Sequence, residues 1–572
     1  MADLIKKIKI KKQDDTYTDY IPIGAEAKNV DCSDGESIEI KLNKKPYYYN
    51  NVADMKTDKK LKIGDMAITL GYYEPNDGGA AEYKIVNISN KYIEELENNL
   101  KAELIIKNNI ANIKQFGAKG DGNTDCSQIF TQIINKYNII FIPEGQYLIS
   151  NSINLLNKNL EIYGTSNTYI KNDKNDIFVK TTNVGYINIH DLIFNMTNQY
   201  SAIKYNSEVN IQTNNNSIRI NNCKFFGENP NSKSIAIYLN GVYNPIITEC
   251  FFNQINGIYQ ELSINALISN STFRVCNYAI YFNGIGGSAK SCGDKITECD
   301  FTECKVGIKA VTTDWIDISS CIIDYCLYPI ILLGQEYGTI SNVYTSAKNG
   351  NPVIYINKDI SNENEYLNGN NTNITSKSII INNSFITNNL EINYDSTNPN
   401  LSADNLIITC SWFTLTDSTV EGYSKNGINL IDCNNVTIKY TRFTKTVKYT
   451  PINNVYSIYG ITNGTNTNYD AGNFKFIGII TNDTISRYLA DISETNTNVL
   501  VYQRFGMAAI PAGSSSVVIN TGMHNPLRNI QLTTSTNTKA YYDTVASDGT
   551  SFTIHISDVF NYPVQVSWCV KG

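Results

Sequence analysis

A six-residue pattern of hydrophobic and polar positions recurs beyond residue 185. Each copy begins with isoleucine, has Cys, Ser, Asn or another small or polar residue near its middle, and ends at a large apolar residue. The final positions are Phe194, Phe225, Phe252, Phe273, Phe301, Ile323, Phe385, Phe413 and Phe443. A degenerate copy ends at Thr345, and the interval averages about 28 residues. Repeats of this size, with two or three short strands each, predict a solenoid whose turns stack as parallel sheets.

Cysteines occupy two fixed positions of this repeat. One position holds Cys223, Cys250, Cys299 and Cys321, with Ser271 in place of cysteine. The other, five residues later, holds Cys276, Cys304 and Cys326. Equivalent positions of a solenoid form columns along its axis, so these thiols are predicted to be stacked, buried and free. Converging metal ligands would need a different arrangement, and the chain has no Cys-x-x-Cys pair. No metal and no cofactor is predicted.

The segments before the repeat have patterns of their own. Residues 1–45 alternate charged and apolar residues, which predicts short strands without a large core. Residues 46–88 contain Asp77-Gly78-Gly79 between two strand-like runs, the signal of a hairpin. Residues 91–104 carry Ile93, Leu96, Leu100 and Leu104 at helical spacing, which predicts a linker helix.

The segments on either side of the repeat are also distinctive. Residues 110–149 predict a strand, a glycine-rich turn, a helix capped by Thr124 or Asp125, and a second strand. Residues 500–572 contain short alternating strands with turn signals every 8–12 residues, which predicts a separate β-sandwich.

Composition narrows the classes of function. The net charge is −7 and 18% of residues are charged, so the chain lacks the basic excess of a nucleic-acid-binding protein. It contains no run of eighteen apolar residues and no signal peptide, so neither membrane insertion nor conventional export is expected. The 39 tyrosines suit half-exposed strand surfaces and stacking against sugars.

Three segments resemble parts of one protein family. NIKQFGAKGDGNTD and FIPEGQYLI, within 110–149, resemble the first module of pectate-lyase-type right-handed parallel β-helices. VADMKTDKKLKIGDMAITLGYY and NDGGAAEYKIV, within 46–88, look like the virion-proximal module of bacteriophage tailspikes. AAIPAGSSSVVI, FTIHI and VSWCV, within 506–570, are similar to C-terminal β-sandwiches of phage tail proteins.

The resemblance implies an all-β protein with a right-handed parallel β-helix. It implies four regions: a virion-attachment segment (1–45), a tailspike-type module with the linker helix (46–109), the β-helix (110–499) and a β-sandwich for trimerisation or receptor binding (500–572). Such a protein is expected to be a homotrimer in the virion tail, attached to other tail or capsid-proximal proteins through its N-terminus. It is expected to act at the host cell surface, where it binds and cleaves a bacterial polysaccharide or teichoic acid.

Two other interpretations stay open. The same architecture could serve as a receptor-binding spike without catalysis. A host-encoded extracellular hydrolase or adhesin is the third interpretation, and the missing signal peptide counts against it because a virion protein is released by lysis. The Gly-His-Gly and Arg-x-Lys patterns of the polygalacturonase branch are absent from the sequence.

Cleavage of a polysaccharide by hydrolysis needs two carboxylates, one acting as an acid and one as a base or nucleophile. In the register of the repeat, Glu249 and Glu298 share a column two turns apart, about 10 Å between backbones. Asp294, Asp314 and Asp317 belong to neighbouring turns. We predict that these five acids form a catalytic site on the outward face of the turns spanning about residues 249–325.

Three further side chains complete the predicted site. Trp315, between two aspartates, is predicted to stack against a sugar ring. Lys295 and Arg274 are predicted to bind substrate, and either could be the base of an elimination reaction. Hydrolysis is the favoured chemistry, and the loop at 358–377 is the next candidate location.

Overall fold

The computed structural model describes most of the chain after residue 45. The described residues are 46–89, 91–156, 158–172, 174–181, 185–197, 199–206, 218–229, 231–284, 292–348, 350–357, 376–389, 404–423, 425–431, 433, 435–445, 456–461, 473–481, 491–492, 499–521, 527, 529–547 and 550–571. The predicted attachment segment 1–45 and nearly all of the loop at 358–377 lie outside them. No helix in the described part is long and apolar enough to cross a membrane.

The chain forms two compact units. The first comprises residues up to Lys119 together with Gln132–Pro143, and the second comprises Gly120–Thr131 and the chain from Glu144 onward. In the first unit a short helix, Val52–Thr57, packs Val52 and Met55 into the core. Its five-stranded sheet has the spatial order Tyr47–Tyr49, Met66–Thr69, Ala81–Val86, Lys101–Leu104 and Ile93–Glu95.

The predicted hairpin at 77–79 is confirmed, because Met66–Thr69 and Ala81–Val86 pair antiparallel on either side of it. The predicted linker helix at 91–104 is wrong. Ile93–Glu95 and Lys101–Leu104 are antiparallel strands, joined by a turn in which Asn99 has a φ of 65°. Burial alternates along the second strand, with Ala102 and Leu104 inside, and this period of two prevailed over the helical spacing of the leucines.

The strand–turn–helix–strand order predicted for 110–149 is confirmed. Ile110–Asn112 pairs in parallel with Ile139–Phe141, and the helix between them runs from Ser127 to Lys136. Of the two predicted caps, Asp125 is the one that accepts a hydrogen bond from the backbone N–H of Ser127, at 3.0 Å.

The second unit is a parallel β-solenoid in which each turn contributes one strand to each of three sheets, named A, B and C in chain order. Sheet A contains Leu160–Tyr163, Ile187–His190, Ile218–Asn221, Ile246–Thr248, Leu267–Ser269, Lys295–Thr297, Asp317–Ser319, Thr339–Ser341, Ile379–Asn382, Trp412–Thr416, Asn435–Lys439 and Asn473–Thr481. Sheet B contains Asp121–Asp125, Gly145–Ile149, Thr168–Asn172, Ile193–Met196, Lys224–Gly227, Phe251–Asn253, Thr272–Arg274, Asp300–Thr302, Ile322–Cys326, Tyr344–Lys348, Phe385–Asn389, Thr419–Tyr423 and Arg442–Lys445. Sheet C contains Ile153–Asn154, Phe178–Lys180, Ser201–Asn206, Ile235–Asn240, Asn256–Glu261, Tyr278–Asn283, Val306–Val311, Tyr328–Leu333, Ile354–Asn357, Leu406–Ile408, Asn426–Ile431, Tyr456–Ile461 and Asp491–Ile492. The predicted all-β parallel β-helix is thus confirmed.

The solenoid core consists of columns in which equivalent residues of successive turns stack on one another. On sheet B, the rings of Phe194, Phe225, Phe252, Phe273 and Phe301 stack face to face, with centroids 4.5–5.0 Å apart. The register continues through Ile323, Thr345, Ile386 and Val420 to Phe443. The predicted positions of Phe385 and Phe413 are therefore wrong: Phe385 pairs with Tyr344, one residue out of register, and Phe413 lies on sheet A.

The cysteines of both repeat positions are buried and free, as predicted. Their thiols bond to backbone carbonyls, for example from Cys250 Sγ to Thr248 O at 3.3 Å. Burial raises the pKa of Cys250 to about 12, so this thiol stays neutral.

Each turn changes direction at corners where one residue adopts a left-handed backbone. At the corner between sheets A and B these residues include Asn222, Glu249, Asn270, Glu298, Ser320 and Asn342, with φ of 48–56°. Such a φ is uncommon for residues other than glycine, asparagine and aspartate. It lets the backbone N–H reach the next turn, as from Glu298 N to Ser319 O at 3.1 Å.

Beyond the solenoid, residues 499–571 form two small antiparallel sheets. One has the order Val499–Ile510, Val564–Lys571 and Asn529–Thr534, and the other Ser516–Asn520, Ser551–Ile556 and Ala540–Asp543. Phe552 and Trp568 meet edge to face with centroids 5.9 Å apart, which joins the two sheets. The first strand also pairs in parallel with Asn473–Thr481 of sheet A, so the solenoid leads directly into this region.

Phe252→Ala should lower the free energy of unfolding by about 3–5 kcal/mol, because it opens a cavity between rings centred 5.0 and 4.5 Å away. Phe251→Ala is the matched control, since the neighbouring ring points outward and is half-buried. Denaturant unfolding measures both variants. Equal losses for the two would contradict the assignment of the inward column.

Candidate functional site

The outward face of sheet A is the surface on which most of the predicted site residues meet. Ile296 and Ile318 point inward from its strands and are fully buried. Because side chains alternate along a strand, their neighbours point outward. One outward column passes from Lys295 to Asp317 to Thr339, which are direct partners in successive turns.

Asp317 and Lys295, which carry opposite charges, are direct neighbours on adjacent strands of this face. Burial raises the pKa of the Asp317 carboxyl above its usual range, and the positive charge of Lys295 opposes that shift. Asp317 is half-buried while Lys295 is exposed. The carboxyl therefore keeps its proton to a higher pH than an ordinary aspartate, which suits a proton donor.

Trp315 stands at the corner between sheets C and A, beside this column. Its backbone is left-handed, with a φ of 54°, and its side chain is 60% exposed. The indole ring lies 5.9 Å from the ring of Tyr337, which occupies the same position one turn later. Two aromatic faces thus border sheet A at the level of Asp317 and Thr339.

A short ladder of polar residues runs along the same corner. Asp314 pairs in parallel with Glu336 and Glu336 with Lys377, each through an isolated bridge. Asp314 is half-buried, and the ammonium of Lys377 lies 3.2 Å from a carboxylate oxygen of Glu336. Asp314, Trp315 and Asp317 therefore lie together at one edge of sheet A.

Glu249 and Glu298 lie at the opposite edge of sheet A. Both are exposed turn residues, with φ of 56° and 54°, and they are two turns apart as predicted. Glu249 accepts a hydrogen bond from Asn221 Nδ2 at 3.2 Å. A three-residue strand separates this edge from the Trp315 edge, which is about 10 Å. Four of the five predicted acids thus divide between the two edges of sheet A.

Asp294 is not on the outward face, so this part of the prediction is wrong. Its side chain is fully buried in the solenoid, where Oδ1 accepts hydrogen bonds from Gln260 Nε2 at 3.1 Å and Ala266 N at 3.0 Å. Among the described residues, neither Asp294 Oδ2 nor Gln260 Oε1 has a hydrogen-bond partner. Burial raises the pKa of Asp294 to about 7, and a proton on Oδ2 lets the two side chains satisfy each other.

Arg274 lies away from the other predicted binding residues. It is exposed at the end of a strand of sheet B, opposite Asn253 and Thr302. Lys295, by contrast, is on sheet A. The structure therefore brings Lys295, but not Arg274, to the Trp315 edge.

Trp412 was not predicted, yet it belongs to the same edge. The pairings of Thr339 with Ile380 and Ile380 with Thr414 extend the outward column. By that register, Trp315, Tyr337, Ser378 and Trp412 occupy one position in successive turns. Trp412 is 59% exposed and lines a cavity of about 350 Å³. The six-residue repeat begins after this position on most turns, so aligning that repeat left the column unseen.

One further carboxylate with close partners, that of Glu261, lies on sheet C. Glu261 accepts hydrogen bonds from the hydroxyl groups of Tyr238 at 2.7 Å and Tyr259 at 2.9 Å, one on each oxygen. Both oxygens are thus engaged by the protein, which fits a structural role. Among the described residues, no group of three or more His, Cys, Asp or Glu side chains is placed to hold a metal ion.

Comparison with known families agrees with the fold. Residues 110–327 match the family model described as rhamnogalacturonase A/epimerase, pectate lyase-like. This segment, less than half of the chain, therefore has a pectate-lyase-like sequence as well as a β-solenoid structure. No curated protein sequence matches the chain.

Several solved structures are similar to this chain. Tailspike protein 3 of bacteriophage CBA120 is 16% identical, with a TM-score of 0.45 over 72% of this chain and 64% of that protein. The chain thus spans less than two thirds of that tailspike. The tailspike of Pseudomonas phage phi297 is 10% identical, with a TM-score of 0.41 over 81% of this chain and 99% of that one. The A-module of the Azotobacter vinelandii mannuronan C-5 epimerase AlgE6 is 13% identical, with a TM-score of 0.40 over 68% and 97%.

Asp294→Asn should remove a pH dependence of stability. Between pH 3.8, the ordinary pKa of aspartate, and about 7, the unfolded chain has lost this proton while the folded chain keeps it. The parent therefore loses about 1.4 kcal/mol of stability per pH unit as the pH rises through this range. Asparagine supplies an N–H donor to Gln260 at every pH. Denaturant unfolding at pH 4 and pH 7 measures the difference.

The exposed Asp300 provides the control, because Asp300→Asn should leave the pH dependence unchanged. If Asp294→Asn loses as much stability between pH 4 and pH 7 as the parent does, the buried acid is not protonated.

Proposed function

We propose that the chain is a phage tailspike that binds a bacterial surface polysaccharide or teichoic acid along sheet A and cleaves it by hydrolysis. Asp317 is the general acid, Asp314 is the second carboxylate, and Trp315 stacks against a sugar ring. The supporting observation is a half-buried carboxyl of raised pKa on an outward face next to an exposed aromatic pair. An acid that keeps its proton on an exposed face is what protonation of a glycosidic oxygen requires.

Two lines of support bear on the substrate class. Residues 110–327 match a pectate-lyase-like family whose description names a rhamnogalacturonase and an epimerase. The face combines exposed aromatic rings with hydroxyl groups and carboxylates and has no basic patch among the described residues, which suits a polymer of sugars rather than a nucleic acid. The virion location rests on the resemblance of 46–88 and 506–570 to tailspike modules.

The proposal includes an oligomeric state and a site of attachment. The spike is a homotrimer that attaches through its N-terminal segment to other tail proteins and acts at the host cell surface. Three identical sites on one rigid body raise the effective affinity for a repeating polymer, because the second and third contacts become intramolecular. The sheets within 499–571 are the proposed clamp between subunits.

Incubation with purified host glycan should generate new reducing ends, without unsaturated sugars. Asp317→Asn and Asp314→Asn should each lower kcat by about 10²- to 10⁴-fold, since each removes a proton-transfer or charge-stabilising group. Both variants should keep glycan binding. Glu298→Gln is the matched control from the other edge of sheet A and should cleave at the parent rate.

The molecular mass of every variant should be measured by light scattering, and each should have the mass of a trimer. Loss of turnover in Glu298→Gln with full turnover in Asp317→Asn would move the catalytic site to the edge that holds Glu249. Unsaturated products would indicate elimination, with Lys295 as the base. Binding of the glycan without any new reducing ends would indicate a receptor-binding spike that has no catalytic activity.

Lys295→Met should move the high-pH limb of the kcat/KM profile to higher pH. The ammonium of Lys295 lowers the pKa of Asp317, so its removal raises that pKa and keeps the general acid protonated to a higher pH than in the parent. Arg274→Met on sheet B is the control and should leave the limb in place. An unchanged limb in Lys295→Met would show that Asp317 is not the titrating acid.

A further inference from the structure

We infer that Trp412 and the cavity beside it form a second sugar-binding subsite for the same polymer. This inference rests on the proposed function and extends it, because it gives the polymer a direction along the protein. The subsite lies three turns from Trp315, which at about 4.8 Å per turn is about 14 Å along the solenoid axis.

The cavity has the chemistry of a carbohydrate site. Its volume is about 350 Å³, and its lining includes Trp412 and Ile380 together with the polar side chains of Thr414, Asn435 and Thr437. An exposed indole offers a flat apolar face, which the C–H face of a sugar ring can cover. Hydroxyl and amide groups beside it match the hydroxyl groups at the rim of that ring.

The lining of the cavity is uncharged. None of the eight side chains that line it is ionisable, and all of them belong to the described part of the chain. The nearest charged residues along the chain are Lys377, next to Ser378, and Lys439, two residues beyond Thr437 on the same strand. A sugar ring on Trp412 would therefore be held by stacking and by hydrogen bonds to neutral groups.

The register explains why the two subsites act on one polymer. Trp315 and Trp412 occupy the same position of the repeat, so their side chains leave the backbone at one edge of sheet A. Tyr337 and the exposed Ile380 lie between them in the intervening turns. A chain of sugars laid along this edge would meet aromatic rings at Trp315 and Tyr337 and again at Trp412, and it would run parallel to the solenoid axis.

Trp412→Ala should weaken binding of long oligosaccharides about 5- to 100-fold, the factor expected when one stacking contact is lost. The probes are the host glycan and size-graded oligosaccharides made from it by mild acid hydrolysis, with binding measured by calorimetry. Oligosaccharides too short to reach from Trp315 to Trp412 should bind the variant and the parent equally. Trp412→Phe should recover most of the affinity, because its ring offers a smaller but still flat stacking face.

Tyr440→Ala is the matched control. Tyr440 is 57% exposed, against 59% for Trp412, and has a left-handed turn conformation at the opposite edge of sheet A. Its removal should leave all affinities at parent values. An equal loss in both variants, or a loss that is independent of oligosaccharide length, would overturn the subsite.

Two further results separate this inference from the proposed function. If the parent binds the glycan without cleaving it and Trp412→Ala still weakens only long oligosaccharides, the subsite stands and the catalytic proposal fails. If the parent cleaves the glycan and Trp412→Ala matches it on every length, the subsite alone fails. A fall in mass from trimer to monomer in Trp412→Ala would assign the cavity to a subunit interface instead.

Discussion

The structure depends on the in-register hydrogen bonding of each solenoid turn to the next. Every parallel pair places a residue directly over its counterpart one turn away, so one residue choice is repeated as a column. Inward columns of isoleucine and phenylalanine supply the apolar burial that stabilises the fold. The left-handed corner residues are part of the same constraint, because their N–H groups bond to the following turn.

The same register creates the candidate site. Residues such as Trp315 and Trp412, almost a hundred positions apart in sequence, share an edge because three turns separate them. Lys295 and Asp317 become direct neighbours in the same way, and their charges then act on each other. A surface made of columns also has a natural direction, and a linear polymer with a regular repeat is the ligand that best matches it.

Much of the fold was predictable because the six-residue pattern reports the register itself. The phenylalanine stack from Phe194 to Phe301 and the cysteine columns were found from spacing alone. Phe385 was misplaced by one residue and Phe413 was assigned to the wrong sheet, because a motif match detects neither a one-residue shift nor the sheet to which a strand belongs. At 91–104, leucine spacing fitted a helix, but the asparagine turn favoured a hairpin.

The site was predictable only in part. Asp317 and Trp315 stand out as an acid and an exposed aromatic within the repeat. From the sequence, Asp294 was expected to be exposed. Its burial depends on a hydrogen bond from Gln260, a residue of sheet C that no local sequence pattern connects to Asp294. Trp412 was missed because its proposed role as a sugar-binding residue depends on the cavity and on the column of equivalent positions. Several turns form both of these features, so the sequence of one repeat does not show them.

The most direct test of the account is a structure of the Asp317→Asn variant with a bound oligosaccharide of the host glycan. The account predicts that the sugar chain lies over the outward face of sheet A, parallel to the solenoid axis, with rings against Trp315 and Trp412. It also predicts that the scissile oxygen lies within hydrogen-bond distance of residue 317. A glycan bound over sheet B or sheet C, or at the edge that holds Glu249 and Glu298, would contradict it.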